Sequence, residues 1–317
     1  MNHDHKLYVG IDVSKAKLDV ASTHQKRVQT FSYTPDGLQQ LIQVWEKSPP
    51  QLVCLEATGG LERTLVKLLN QNGIPNAVVN PRQIRDFAQA TNQLAKTDAI
   101  DARVIARFAQ TMTPSPTPPL TLSQQKLRDF IARKRQVTKL LVQEKNRLAT
   151  TTEPCLRDMV EQAIGFYNQQ LLAITQQIQE LIEQDKQAQE KAKLIESVPG
   201  LGTATAALLV SELPELGALN RQQIARLVGV APTNRDSGTL RGKRTTGGGR
   251  VQIRNALYMP TVVAIRYNPT IKAFYQRLVQ NGKPKMVALI AAMRKLLTIL
   301  NVMIQNQHSS KFQTNYH

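Results

Sequence analysis

The chain has 317 residues, 41% of them apolar, which is enough for about two domains with ordinary cores and too apolar for a disordered chain. Two cysteines without a CxxC pair, together with five histidines, exclude a disulfide framework and a zinc site, so Cys54 and Cys155 are expected to be buried thiols. A net charge of +18, from 41 Lys and Arg against 23 Asp and Glu, points to a polyanionic partner.

The first ten residues, MNHDHKLYVG, are polar and then enter a strand pattern, without the apolar stretch and cleavage site of a signal peptide. A cytoplasmic protein is expected. LYVGIDVS, KLDVAST and RVQTFSY read as three short strands, and QLVCLEAT and IPNAVVN as two later ones, with helices at Asp36–Glu46 and Leu61–Asn72. Three early strands followed by alternating helices and strands predict a mixed α/β sheet of the RNase H kind. The run TPSPTPP, from Thr113 to Pro119, cannot continue a helix and predicts an extended linker.

From Ser123 to Glu196 only Pro154 and Gly165 interrupt a text rich in Gln, Lys, Leu and Glu, which implies two long helices. Leu127, Ile131, Lys134, Thr138, Leu141 and Leu148 on one side, and Leu171, Ile174, Ile178, Leu181 and Ile182 on the other, suggest an antiparallel coiled-coil hairpin. Such a hairpin serves as a spacer or as an arm for self-association. The segment SVPGLGTATAALLVSEL then sets a tight turn between two helical patterns, as helix-hairpin-helix elements do to meet a phosphate, or as any helix connection does. After Ile224–Val230 come a Gly- and Arg-rich loop from Ala231 to Arg250 and further amphipathic helices. Met286 to Ile304 is apolar but interrupted by Arg294 and Lys295, so no membrane span is expected. The expected divisions are 1–113, 114–196 and 197–317, the last mainly α-helical. That last part holds 16 basic and 3 acidic residues, nearly all of the chain's excess, and is the part expected to grip phosphates.

Two carboxylates end apolar strands, Asp12 after LYVGI and Glu56 after LVCL. If those strands are neighbours, the two groups lie side by side and need a cation between them. In KTDAIDARVIARFA a spacing of three puts Asp98 and Asp101 on one helix face that can meet the strands. Four such carboxylates suit Mg²⁺ or Mn²⁺ and phosphoryl transfer. Singly, each reads as a turn, cap or solvated residue, and Asp19, Glu62 and Asp86 are set aside, Asp19 because its strand looks less central. In GVAPTNRDSG, Ser237 is a hydroxyl beside glycine, followed by Arg241, Lys243, Arg244, Arg250 and Arg254; with Arg235 these can neutralise a phosphate under attack. A serine before glycine is also an ordinary turn residue.

GIDVSK at 10–15, LEATGG at 55–60, KTDAIDA at 96–102, VPGLG at 198–202 and GVAPTNRDSG at 229–238, in this order across nearly the whole chain, resemble the IS110 family of insertion-sequence transposases. The resemblance implies a RuvC-like domain whose four acidic residues are Asp12, Glu56, Asp98 and Asp101, with Mg²⁺ or Mn²⁺ as cofactor. It also implies a transposase domain whose nucleophile is Ser237, donor and target DNA as partners, and a bridge RNA that guides the recombination. Family members are thought to work as a homo-oligomer, dimer or tetramer, with a site shared between protomers. Two other readings remain: a metal-only nuclease of the Holliday-junction type, and a non-catalytic nucleic-acid-binding protein.

Overall fold

In the computed structural model the described residues are 6–93, 98–233, 236–237, 240–242 and 244–307. They form two compact units that divide between Pro119 and Leu120. The first unit is a five-stranded sheet with helices on its faces, and the expectation of a mixed α/β sheet holds. The strands are β1 (Tyr8–Val13), β2 (Lys17–Ser22), β3 (Gln25–Ser32), β4 (Leu52–Glu56) and β5 (Asn76–Val79), in the order β3-β2-β1-β4-β5. The first three are antiparallel neighbours, joined by turns too short for anything else, and β1, β4 and β5 are parallel, each later one reached through a helix.

The helices of this unit are α1 (Pro35–Trp45), α2 (Glu62–Gln71), α3 (Pro81–Ala90) and α4 (Asp98–Met112). Helix α3 has no counterpart in the sequence reading above. Its start is a local device, since the Asn80 side chain accepts from the Arg82 N–H and Pro81 occupies the first turn. Alternation along the strands divides the unit's core in two. Val9, Ile11, Val13, Leu18, Val20, Val53 and Leu55 pack with α1 and α2 on one face. Tyr8, Leu52, Cys54, Ala77 and Val79 pack with Ile84 of α3 and with Val104, Ile105 and Phe108 of α4 on the other.

The Pro-rich run is not a free linker throughout. The Thr117 N–H donates to the Asn76 carbonyl at 2.7 Å, and its hydroxyl oxygen accepts from the Val78 N–H at 3.0 Å, so this stretch lies along β5.

The second unit opens with α5 (Leu122–Thr150), α6 (Pro154–Gln184) and α7 (Lys186–Glu196), three helices where two were expected. The extra break is at Asp185, whose backbone leaves the helical region and whose carboxylate accepts from the Ala188 N–H, capping α7. Leu127, Ile131, Val137, Leu141, Ile174, Ile178 and Ile182 are buried in this unit, while Lys134 is half-buried and Thr138 exposed. The chain continues through α8 (Thr203–Glu212), α9 (Arg221–Val228), four two-residue strands, α10 (Val251–Tyr267), α11 (Pro269–Gln280) and α12 (Lys285–Asn306). Residues of α5, α6 and α7 share one core with α8 to α12. Helix α12 is long and apolar enough to cross a membrane by composition alone, yet Leu289, Ala292, Met293, Leu296, Leu297 and Leu300 are buried in that core. The expectation for the cysteines needs one correction: Cys54 is buried, but Cys155, the second residue of α6, is exposed.

Candidate functional site

The parallel register between β1 and β4 pairs Ile11 with Leu55, so Asp12 and Glu56 come next at the same end of two adjacent strands. Both are half-buried. Their face of the sheet is fixed by their neighbours two residues back. Gly10 lies directly under α4: a Cβ there would come within 2.2 Å of the Ala106 nitrogen and 2.4 Å of the Ala102 carbonyl oxygen. Cys54 packs in the cluster that α4 covers. Asp12 and Glu56 therefore stand on the α4 side, one step beyond the covered residues. The thiol of Cys54 is pushed up to about 12, first by burial and then by the neighbouring negative charge of Glu56.

Helix α4 can approach so closely because the strand offers glycine and the helix offers alanines. Ala102 and Ala106 pack with Ala21 of β2, the residue opposite Gly10. Asp101, half-buried, immediately precedes Ala102, and Asp98 starts the helix one turn earlier. The helix face expected to carry the second pair of carboxylates is thus the face that lies over β1. The side chain of Asp98 is outside the described residues, as are Lys96 and Thr97. Among the described residues no three His, Cys, Asp or Glu side chains form a metal-binding group. The donors that do converge, Asp12 and Glu56, are carboxylate oxygens and fit a hard cation such as Mg²⁺ or Mn²⁺.

The three acidic residues set aside from sequence have distinct fates. Glu62 caps its own turn, accepting from the Thr58 N–H, the Thr58 hydroxyl and the Gly60 N–H at 3.0, 3.0 and 2.9 Å. Asp86 is exposed and pairs loosely with Arg82 at 3.7 Å. Asp19 departs from its reading: β2 is an interior strand, and Asp19 is only 5% exposed, directly opposite Asp12 in the register. The spacing D-x₆-D across a short hairpin was the signal that could have found it, since antiparallel partners share a face.

Ser237 belongs to a structure more regular than a loop. Strands β6 (Pro232–Thr233) and β9 (Thr245–Thr246) pair with each other, and β7 (Asp236–Ser237) pairs with β8 (Leu240–Arg241) inside them. The two ladders are nested, as in one long hairpin, with Ser237 opposite Leu240. Asn234, Arg235, Gly238 and Lys243 lie outside the described residues, and so do the side chains of Ser237 and Arg241. Arg244 is exposed.

Arg250 and Arg254 sit at the base of this hairpin and are engaged within the unit. Arg250 donates to both carboxylate oxygens of Glu215, at 2.7 and 2.5 Å, and to the Glu212 carbonyl at 2.9 Å. Arg254 donates to the Gly248 carbonyl at 2.7 Å. Gly229, left-handed at the end of α9, and Gly249 meet back to back there; a Cβ on Gly249 would lie 2.5 Å from the Gly229 nitrogen. In the turn before α8, Gly200 (φ +103) is held by packing, since a Cβ would lie 2.9 Å from the Ala264 nitrogen of α10. Gly202 and Thr203, at the start of α8, are exposed and carry no side-chain cap.

Two family models match the chain in order. One, described as a transposase of the DEDD type of IS110, covers residues 9–153, and the other, described as transposase IS116/IS110/IS902 family, covers residues 192–276. The pilin gene-inverting protein of Moraxella bovis is 27% identical over 311 residues, covering 95% of this chain and 96% of that protein. Its counterpart in Moraxella lacunata is 27% identical over the same shares. An uncharacterized 43.6 kDa protein of insertion element IS110 from Streptomyces coelicolor is 27% identical over 141 residues, 44% of this chain and 34% of that protein.

Proposed function

Since the chain belongs to the IS110 family of transposases, we propose that it cuts and rejoins donor and target DNA through a phosphoserine on Ser237, with a divalent cation held by carboxylates of its first unit. The observation that carries the reading is the convergence of Asp12 and Glu56 at the same end and on the same face of adjacent strands, beneath the helix that begins with Asp98 and Asp101. A mixed sheet in the order β3-β2-β1-β4-β5 supports a RuvC-like assignment for residues 1–113. Residues 114–196 are then the Pro-rich linker with a coiled-coil arm, and 197–317 the transposase domain with its helix-hairpin-helix.

The chemistry divides between the two sets of groups. The Ser237 oxygen attacks phosphorus and loses its proton, an Oγ–P bond forms, the P–O3′ bond breaks, and a 3′-hydroxyl leaves. The bond energy is kept in the phosphoserine, so rejoining needs no ATP. A Mg²⁺ or Mn²⁺ ion, when bound, supplies charge withdrawal at the transferring phosphate. Arg235, Arg241, Lys243 and Arg244 are the residues proposed for contact with the nucleic acid, whereas Arg250 and Arg254 stiffen the hairpin base through their own contacts. A bridge RNA would choose the sites by base pairing, leaving the protein to read backbone and shape. Relatives named for gene inversion support DNA strand exchange as the outcome, inside the cytoplasm.

The test is a covalent adduct. Wild-type protein incubated with a nicked recombination-site DNA, Mg²⁺ and the element's RNA should yield a protein–DNA band that survives denaturation, and Ser237→Ala should yield none. Cleavage that persists undiminished in Ser237→Ala, with no adduct in either protein, sinks the serine mechanism in favour of a metal-only nuclease.

Self-association through α5 and α6 belongs to the same proposal. Val142, Leu156, Met159, Phe166 and Leu172 are all at least half exposed on these helices, an unusual concentration of large apolar side chains in water. Light scattering of the purified protein with its RNA should give the mass of a dimer or tetramer, and monomers throughout the micromolar range would count against it.

A further inference from the structure

The α4 face of the sheet holds one acidic group that the reaction above does not use. Asp19 faces Asp12 across the β1–β2 pair, and Thr30 faces Asp19 across the β2–β3 pair. With Glu56 on β4, a polar line crosses four adjacent strands in the order Glu56, Asp12, Asp19, Thr30. Asp19 is the deepest of these groups, 5% exposed. The Lys17 ammonium lies 2.9 Å from its Oδ2, and the Thr30 hydroxyl donates to its Oδ1 at 2.6 Å.

This arrangement is a poor way to stabilise a sheet. Side chains directly opposite in an antiparallel pair have Cβ atoms about 5 Å apart, and like charges there repel. A buried ion pair recovers little more than the cost of taking its charges out of water. An apolar residue would suit the position better, as Ala21 does two places on, packed against Ala102 and Ala106. Three carboxylates in line become favourable when a divalent cation is shared among them. Each oxygen of Asp19 also keeps a lone pair beyond its bond to Lys17 or Thr30.

We propose that Asp19 is a positioning residue for the divalent cation. From the strand next to Asp12 it accepts hydrogen bonds from the ion's bound water and adds its charge to the field that holds the ion, while Lys17 and Thr30 fix the angle of its carboxylate. The inference rests on the metal reading of Asp12 and Glu56 given above.

Manganese binding to the full-length protein without DNA, followed by the electron paramagnetic resonance signal of free Mn²⁺, tests it. Asp19→Asn should bind Mn²⁺ about tenfold or more weakly, the usual effect of removing an outer partner of a metal site. Thr30→Val, which removes a single donor at an exposed position, should weaken binding in the same direction by less. An Asp19→Asn protein that binds Mn²⁺ like the parent overturns the proposal, whatever its melting temperature does. Should that variant fail to fold, unchanged Mn²⁺ binding by Thr30→Val overturns it instead. Asp12→Asn and Glu56→Gln serve as references. If they too bind like the parent, the metal reading fails and takes this inference with it; if they lose the ion while Asp19→Asn keeps it, only the role of Asp19 falls.

Discussion

Replacing Asp12 with asparagine should lower DNA cleavage by at least about 10³-fold while leaving the fold intact, an effect of the size seen when one member of a catalytic group is removed. The amide has nearly the shape of the acid, and Asp12 is half-buried at a strand end, so packing changes little. What changes is charge. A cation shared by Asp12 and Glu56 loses one of its two strand ligands, and the amide nitrogen that replaces an oxygen is a donor that cannot bind metal. Glu56→Gln should behave alike, because the two residues occupy equivalent positions on neighbouring strands. The measurement is single-turnover cleavage of a labelled recombination-site duplex, alongside nucleic-acid binding at fixed salt. Binding should persist in both variants. Cleavage within a factor of ten of the parent in Asp12→Asn would leave the carboxylates without a part in the chemistry.

The largest effect on stability is expected at Gly10. Its backbone is that of an ordinary strand, so the glycine is not there for a left-handed turn. Space decides instead: a methyl group would meet the Ala106 nitrogen, the Ala102 oxygen and the Ile105 carbonyl carbon at 2.2, 2.4 and 2.7 Å. All three are backbone atoms of α4, which no rotamer change can move. Gly10→Ala must therefore lift the helix from the sheet, and a cost of about 3 kcal/mol or more follows, at or beyond the upper end for overpacked cores. That is a large share of the roughly 5–15 kcal/mol that hold a typical domain together. Urea unfolding of the variant should show the shift, with Gly202→Ala, whose added Cβ meets nothing within 4 Å, as a control of small effect. A midpoint for Gly10→Ala equal to the control would mean that α4 does not lie where it is described. The same variant should lose activity, since the helix that shifts begins with Asp98 and Asp101.

Much of the first unit was legible because its strands alternate or run apolar over short lengths between clear turns. All five strands, the helices α1 and α2, and the neighbourhood of Asp12 and Glu56 follow from that pattern and from the rule that a parallel pair needs a crossover helix. What escaped was fixed by single side chains acting locally. Asn80 starts α3 and Asp185 splits the second long helix, and either residue could equally have stood in a helix or a loop. Asp19 was misjudged because centrality is a property of strand order, which periodicity does not encode: β2 looked peripheral in sequence, yet pairs on both sides. The basic residues after Ala231 show the opposite difficulty. Composition counted Arg250 and Arg254 with the rest, but their guanidinium groups are taken by Glu215 and by backbone carbonyls, partners that no charge count reveals.

The stretch laid along β5 has a consequence for how this molecule behaves in a crowded cell. A sheet's last strand offers a row of bare backbone donors and acceptors, an open invitation to aggregation. Thr117 occupies part of that row, and the prolines around it, Pro116, Pro118 and Pro119, lack the N–H needed to pass the pairing on. The chain thus seals its own sheet with a segment chemically unable to recruit another strand.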